Sequence, residues 1–123
     1  MINRKISKIL NVVLFVFLAS AAMAGVSPEG SWKYEAPNAP YEYSKGKLLV
    51  EKASGSDYSV TIVINDSKLK ARNIQYSGSE LTFSAYVEGE YISVKLLVEE
   101  DKMNGKVSYS EGQLDVSANK EKN

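Results

Sequence analysis

After residue 24, apolar and polar residues alternate at every second position, which is the period of a β-strand with one buried face. The clearest runs are Tyr58–Ile64, Leu81–Val87 and Ile92–Val98. Short polar or glycine-containing segments such as Asn65-Asp66 and Glu88-Gly89, which are typical of tight turns, separate the runs. The pattern predicts eight strands, at approximately residues 30–35, 46–52, 58–64, 67–75, 81–87, 90–98, 102–110 and 113–120.

The turns also predict which residues face one another, because directly opposed residues of an antiparallel pair point to the same face. A two-residue turn at Glu88-Gly89 opposes apolar residues along the whole hairpin, for example Phe83 to Val94. We therefore expect one continuous inward face from residue 48 to residue 118. Four other connections agree: the turns at 65–66 and 111–112 oppose Ile62 to Leu69 and Tyr109 to Leu114, and the loops around Gly55 and Gly78 oppose Val50 to Val60 and Ala71 to Ala85.

One turn signal conflicts with this register. Asn104-Gly105 is a strong hairpin sequence, but a turn there would place the acidic cluster Glu99-Glu100-Asp101 inside a strand. We place the turn at 99–102 and interpret Gly105 as a bulge or a close-packing position.

Short antiparallel strands with one apolar face either close into a barrel or fold over as a β-sandwich. Closure removes the exposed strand edges, so we predict an all-β, eight-stranded antiparallel up-and-down barrel, with the sandwich as the alternative. A barrel of about eight strands is just wide enough for its own side chains, which predicts a filled interior. The alternative is a modest cavity beside the small inward residues Ala71, Ala85, Gly105 and Ala118.

The N-terminal segment has a different composition. Three basic residues within the first eight positions precede an apolar stretch, Ile9 to Ala19, and Ala22-Met23-Ala24 has the small-x-small pattern of a cleavage site. The stretch is shorter than the roughly 20 residues that span a bilayer. We expect residues 1–24 to be a signal peptide and residues 25–123 to be one exported domain, periplasmic or secreted and free of the membrane. An uncleaved N-terminal anchor is the alternative.

Charge and composition argue against several functions. Residues 25–123 contain 12 Lys and Arg against 15 Asp and Glu, a net charge of −3 that gives no electrostatic reason to bind nucleic acid. The chain has no Cys and no His, which removes thiol catalysis, Ser-His-Asp chemistry and the commonest zinc ligands. Glu99-Glu100-Asp101 lacks the spacing of a calcium loop. We expect a monomer that is not an enzyme and has no catalytic residue, metal or cofactor.

The longest connection, residues 35–46, contains Pro37, Pro40, Tyr41 and Tyr43. Prolines restrict the loop and reduce the entropy lost when it is ordered. These four residues are the candidate ligand-binding residues, for a small molecule, a glycan or a protein; the alternative is that Tyr41 or Tyr43 folds inward and plugs the barrel. Because alternate turns of a meander share one end, the loop should lie beside an acidic rim formed by Asp66, Glu88, Glu90 and Glu111.

Gly30-Ser31-Trp32 resembles the G-x-W motif that opens the first strand of lipocalins, where the Trp packs across the barrel bottom. The chain also resembles small exported lipocalin-like domains, many from Bacteroidetes-type bacteria. They share an A-P-x-A-P-Y-x-Y-x-x-G loop, here Ala36 to Gly46, and a D-K-M-x-G-K-V strand, here Asp101 to Val107. The resemblance spans residues 30–120 and implies a lipocalin-like barrel and export, but no particular function. Short strands, no C-terminal helix pattern and no disulfide distinguish the chain from true lipocalins and argue against their deep calyx.

These observations favour an exported, non-enzymatic binding or accessory module that contacts its ligand through the 35–46 loop end of the barrel. The alternative is a protein-interaction module, such as a secreted protease inhibitor, that presents the ordered loop to its partner. An open cavity behind Tyr41 and Tyr43 would favour the first interpretation, and a filled barrel with a protruding loop would favour the second.

Overall fold

Every segment with alternating apolar and polar residues forms a β-strand in the computed structural model, which describes residues 26–55 and 57–122. The order β4-β3-β2-β1-β9-β8-β7-β6-β5 makes one antiparallel sheet that rolls into a nearly closed up-and-down barrel. This confirms the predicted fold class, which is consistent with a lipocalin-like barrel. The elements are β1 (Gly30–Glu35), a 3-10 helix η1 (Tyr41–Tyr43), β2 (Lys45–Lys52), β3 (Tyr58–Ile64), β4 (Ser67–Lys70), β5 (Arg72–Ser77), β6 (Glu80–Val87), β7 (Glu90–Glu99), β8 (Lys102–Tyr109) and β9 (Gly112–Lys120).

The strand count is nine and not eight, because the predicted strand at 67–75 divides at Ala71. Its first part, β4, pairs with β3, and its second part, β5, pairs with β6. The backbone N–H of Ala71 donates to the carbonyl of Val60 (2.9 Å), which extends the β3–β4 ladder to the point of division. One bent segment therefore pairs with both edges of the sheet and brings the barrel close to closure.

A β-bulge in β5 replaces the odd-length loop predicted around Gly78. The connection is a two-residue turn at residues 78–79, and the register shifts by one residue between Arg72 and Gln75. Asn73 lies in this bulge with a φ of +54°, and its side-chain amide donates to the Ser84 hydroxyl (2.9 Å). The bulge supplies the extra residue that the prediction assigned to the loop, so the inward face continues past it.

The register around Gly105 agrees with prediction. Leu96 opposes Gly105, and the β7–β8 turn lies between Glu99 and Lys102. A Cβ at Gly105 would lie 1.8 Å from the backbone oxygen of Lys95, so the position accepts only glycine. The other registers that agree pair Phe83 with Val94, Ile62 with Leu69 and Val50 with Val60.

The predicted turn at 111–112 is wrong. The turn lies one residue earlier, so the pairing of the two strands differs from the prediction by two residues. Tyr109 opposes Gly112 and not Leu114, so Ser110 and Glu111 form the turn. Neither turn residue needs a positive φ, whereas Gly112 follows them with a φ of +143°. A shift of two residues preserves the alternation, so Leu114 still lies on the predicted face.

One half of the barrel is closely packed around Trp32, which has no exposed surface. Its indole Nε1 donates to the carbonyl of Pro28 (2.9 Å), and the hydroxyl of Tyr76 donates to the carbonyl of Val26 (3.2 Å). These bonds hold residues 26–29 across what we call the closed end. The largest fully buried side chains of this half are Trp32, Leu81, Met103, Val50, Val60, Val98 and Pro28.

The last described residues lie at the same end. The N–H of Lys120 donates to the carbonyl of Asp101 (2.9 Å), and the N–H of Glu121 donates to that of Ser31 (2.8 Å). The predicted signal peptide, residues 1–24, lies outside the described residues. Across 26–55 and 57–122, no helix has the length and apolar composition needed to cross a membrane.

The close approach at Gly105 gives a test of the β7–β8 register. Gly105→Ala should lower the free energy of unfolding by about 3 kcal/mol or more, because backbone atoms of β7 must move to admit the methyl group. Gly78→Ala is the matched control: a Cβ there meets no atom within 4 Å, and the cost of its φ of +56° is about 1–2 kcal/mol. Urea unfolding measures both. Equal losses would contradict the close packing at Gly105.

Candidate functional site

The loop between β1 and β2 folds over one end of the barrel through its own backbone. The N–H of Ala36 donates to the carbonyl of Ser44 (2.8 Å), which closes the loop at its base. Pro37 occupies the second position of a turn that ends with the N–H of Ala39 on the carbonyl of Ala36 (3.0 Å), where its fixed φ is favourable. Pro40 then leads into η1. We call residues 36–44 the mouth loop.

The mouth loop is fixed to neighbouring turns by side chains. The amide of Asn65 donates to the carbonyl of Glu42 (3.0 Å), and the hydroxyl of Tyr43 donates to the Glu88 carboxylate. These contacts place the loop at the end where the β3–β4, β6–β7 and β8–β9 turns meet, as the meander predicted. We call this end the mouth.

Tyr34 anchors the loop from below. It is buried on the inward face of β1, and its hydroxyl donates to the carbonyl of Tyr43 (3.0 Å). Burial raises the pKa of this phenol. Tyr34 pairs with Gly46, where a Cβ would lie 2.5 Å from the tyrosine ring. The absence of a side chain at Gly46 therefore makes room for the ring of Tyr34.

Inside the mouth lies a cavity of about 400 Å³. Inward side chains from every strand except β4 and β5 line it, together with the mouth loop. Its walls are mostly apolar, with Phe83, Val94 and Leu96 among the buried contributors. The expectation of a filled interior therefore holds for the closed half of the barrel and is wrong for the mouth half.

The structure separates the four candidate binding residues. Tyr43 and Pro40 line the cavity, and Tyr43 is half-buried at its rim. Tyr41 is 95% exposed and points away from the cavity lining, and Pro37 is exposed on the outside of the loop. Neither tyrosine fills the barrel as a plug.

Three of the four predicted acidic rim residues reach the cavity. Glu88, Glu90 and Glu111 line it, whereas Asp66 does not. The hydroxyl of Ser110 donates to the carboxylate of Glu90 (3.1 Å) and joins two turns of the rim. Residues 26–55 and 57–122 contain no group of three or more acidic side chains placed to hold one metal ion.

The contact between Tyr43 and Glu88 changes the acidity of the phenol. The hydrogen bond to the Glu88 carboxylate is the largest cause of a rise in the pKa of Tyr43 to about 12; desolvation and the charges of Glu88 and Glu42 add to it. The folded protein binds this phenol proton more tightly than the unfolded chain does, so the protonated phenol stabilises the folded state. This contribution is fully present below about pH 10, the pKa of the phenol in the unfolded chain. That contribution is lost as pH rises towards 12.

This contact can be tested by optical titration. The difference between wild type and Tyr43→Phe should show a phenol titrating near pH 12. Glu88→Gln should move that titration to lower pH, because it removes the charged acceptor. Glu111→Gln removes a rim charge that does not contact Tyr43 and should leave the titration unchanged. A midpoint near the ordinary value of about 10 in wild type would contradict the bond.

No protein-family model matches this chain, and comparison with curated proteins finds no significant relative. The nearly closed antiparallel barrel is consistent with a lipocalin-like architecture.

Proposed function

We propose that this protein is an exported, non-enzymatic binding module that holds a small molecule in the cavity at the mouth. The observation that carries the proposal is the cavity itself. Its volume of about 400 Å³ falls within the range of small-molecule sites, and its walls are largely apolar with a few polar groups at the rim.

The packing of the barrel supports a binding role for this space. Protein interiors are close-packed by default, and side chains that line a void lose contact partners. The closed half follows that rule around Trp32, whereas the mouth half keeps its inward side chains apart. A small apolar molecule would supply the missing contacts.

The mouth loop also favours a small molecule over a protein partner. It lies across the barrel end, held to Asn65 and Glu88, and Tyr43 forms part of the cavity wall. A protease inhibitor would instead present a protruding loop on a filled barrel. Exposed Tyr41 is the feature of the loop that suits a protein-interaction role.

Export is part of the proposal. It rests on the basic, apolar and small-x-small pattern of residues 1–24 and on the resemblance to exported lipocalin-like bacterial domains. The domain has no cysteine, so the oxidising conditions outside the cytoplasm pose no problem of disulfide pairing.

Blocking the cavity tests the proposal. Nile red, a neutral dye that fluoresces in apolar surroundings, should bind the wild type. Leu114→Trp places a larger side chain in the cavity wall and should abolish this signal. Leu97→Trp makes the same change at an exposed outer position of β7 and should bind like the wild type. Equal binding by all three proteins would place the dye outside the cavity and contradict the proposal.

The two loop tyrosines give a second test. Tyr43→Ser removes part of the cavity wall and should weaken dye binding by about 1–2 kcal/mol, roughly five- to thirtyfold. Tyr41→Ser removes the matched, exposed ring and should leave binding unchanged. Fluorescence titration measures both, with circular dichroism as a check on folding. A loss confined to Tyr41→Ser would favour the outer loop surface, and with it a protein partner.

A further inference from the structure

The ligand class follows from the distribution of charge at the cavity, given the proposed function that the cavity binds a small molecule. We infer that the ligand is a cationic amphiphile: an apolar aliphatic or aromatic body with an amine or ammonium group at one end. The body lies inside the barrel and the cationic group lies at the mouth.

The inner part of the cavity selects the apolar body. Phe83, Val94 and Leu96 are buried and supply hydrocarbon surface at the cavity wall, and Leu48 and Ile62 do so from the opposite side of the barrel. Burying a polar group among such side chains without a hydrogen-bond partner is unfavourable. A charged group on the ligand must therefore remain near the mouth, where polar side chains and water are available.

The mouth carries charge of one sign. Glu88, Glu90 and Glu111 line the cavity, and no Lys or Arg is among the described residues that do so. Two lysines, Lys45 and Lys68, belong to strands that begin at this end, but both side chains are exposed and outside the cavity lining. Acidic groups around a cleft with apolar walls focus the field and attract a cation.

The hydrogen bonds at the rim leave acceptor capacity for such a cation. Glu88 accepts a bond from Tyr43, and Glu90 accepts one from Ser110, each through one carboxylate oxygen. Glu111 has no side-chain hydrogen bond or ion pair within the described part of the chain. An ammonium group offers up to three donors to these oxygens. A ligand carboxylate would instead meet like charges.

Three ligands with the same apolar body separate the contributions of body and head group. Decylamine is cationic at pH 7, decanol is neutral and decanoate is anionic, and each can be titrated by displacement of Nile red. We expect decylamine to bind about tenfold more tightly than decanoate at low salt, with decanol between them. Added salt should reduce the difference. Decanoate binding as tightly as decylamine would overturn the inference.

Charge-neutralising variants test the role of the rim. Glu90→Gln with Glu111→Gln should weaken decylamine binding by about three- to tenfold and leave decanol binding unchanged. Glu88 is kept because it bonds to Tyr43. The control, Glu99→Gln with Glu100→Gln, removes the same charge at the β7–β8 turn of the closed end and should change neither affinity. Equal weakening of amine and alcohol by the rim variant would overturn the inference.

The two proposals fail in different ways. If Nile red and all three decyl compounds fail to bind, the proposed function fails and the ligand class with it. If the dye and decanol bind in the cavity but decylamine shows no advantage over decanoate, the binding function stands and only the cationic ligand is rejected.

Discussion

The barrel depends on one constraint: a single segment must pair, through backbone hydrogen bonds, with the strands at both edges of the rolled sheet. Residues 67–77 do this by changing partner at Ala71, from β3 near the mouth to β6 near the closed end. The bulge at Asn73 adjusts the register so that inward residues stay inward after the change. Without that diagonal crossing, two strand edges would be open to other chains, and the opposing walls would not enclose an interior.

Within this nearly closed barrel, the packed core and the cavity occupy different halves. The half around Trp32 is filled and is tied by hydrogen bonds to residues 26–29. The mouth half gives up some packing contacts and is held instead by polar links across its rim, from Tyr34, Tyr43 and Asn65. The closely packed half already supplies a hydrophobic core. The domain can therefore tolerate the loss of packing contacts around the cavity in the other half.

The alternation of residues and the turn chemistry were enough to predict the antiparallel barrel, its inward face and the end at which Glu88, Glu90 and Glu111 meet. Both signals are local, and the pairing of Phe83 with Val94 follows from them directly. The bulge at Asn73 could not be predicted, because a bulge and an odd-length loop leave the same parity in the sequence. The division at Ala71 could not be predicted either, because alternation gives the face of each residue and not the strand with which it pairs. The choice between a filled interior and a cavity stayed open in the sequence for a related reason: alternation tells which way Leu114 points but not how far apart the walls stand. The difference between Tyr41 and Tyr43 comes from the phase of one 3-10 turn, in which residues two positions apart face different sides.

The positions of the first and last described segments give the molecule a direction. Residues 26–29 and 120–121 both lie at the closed end, opposite the mouth. A carrier domain or solid support joined at residue 26 or at residue 121 would therefore sit behind the filled half, and the cavity would face outward into solution. Molecules attached in this way would all present the same end, and a solute would approach every one of them from the side away from the attachment.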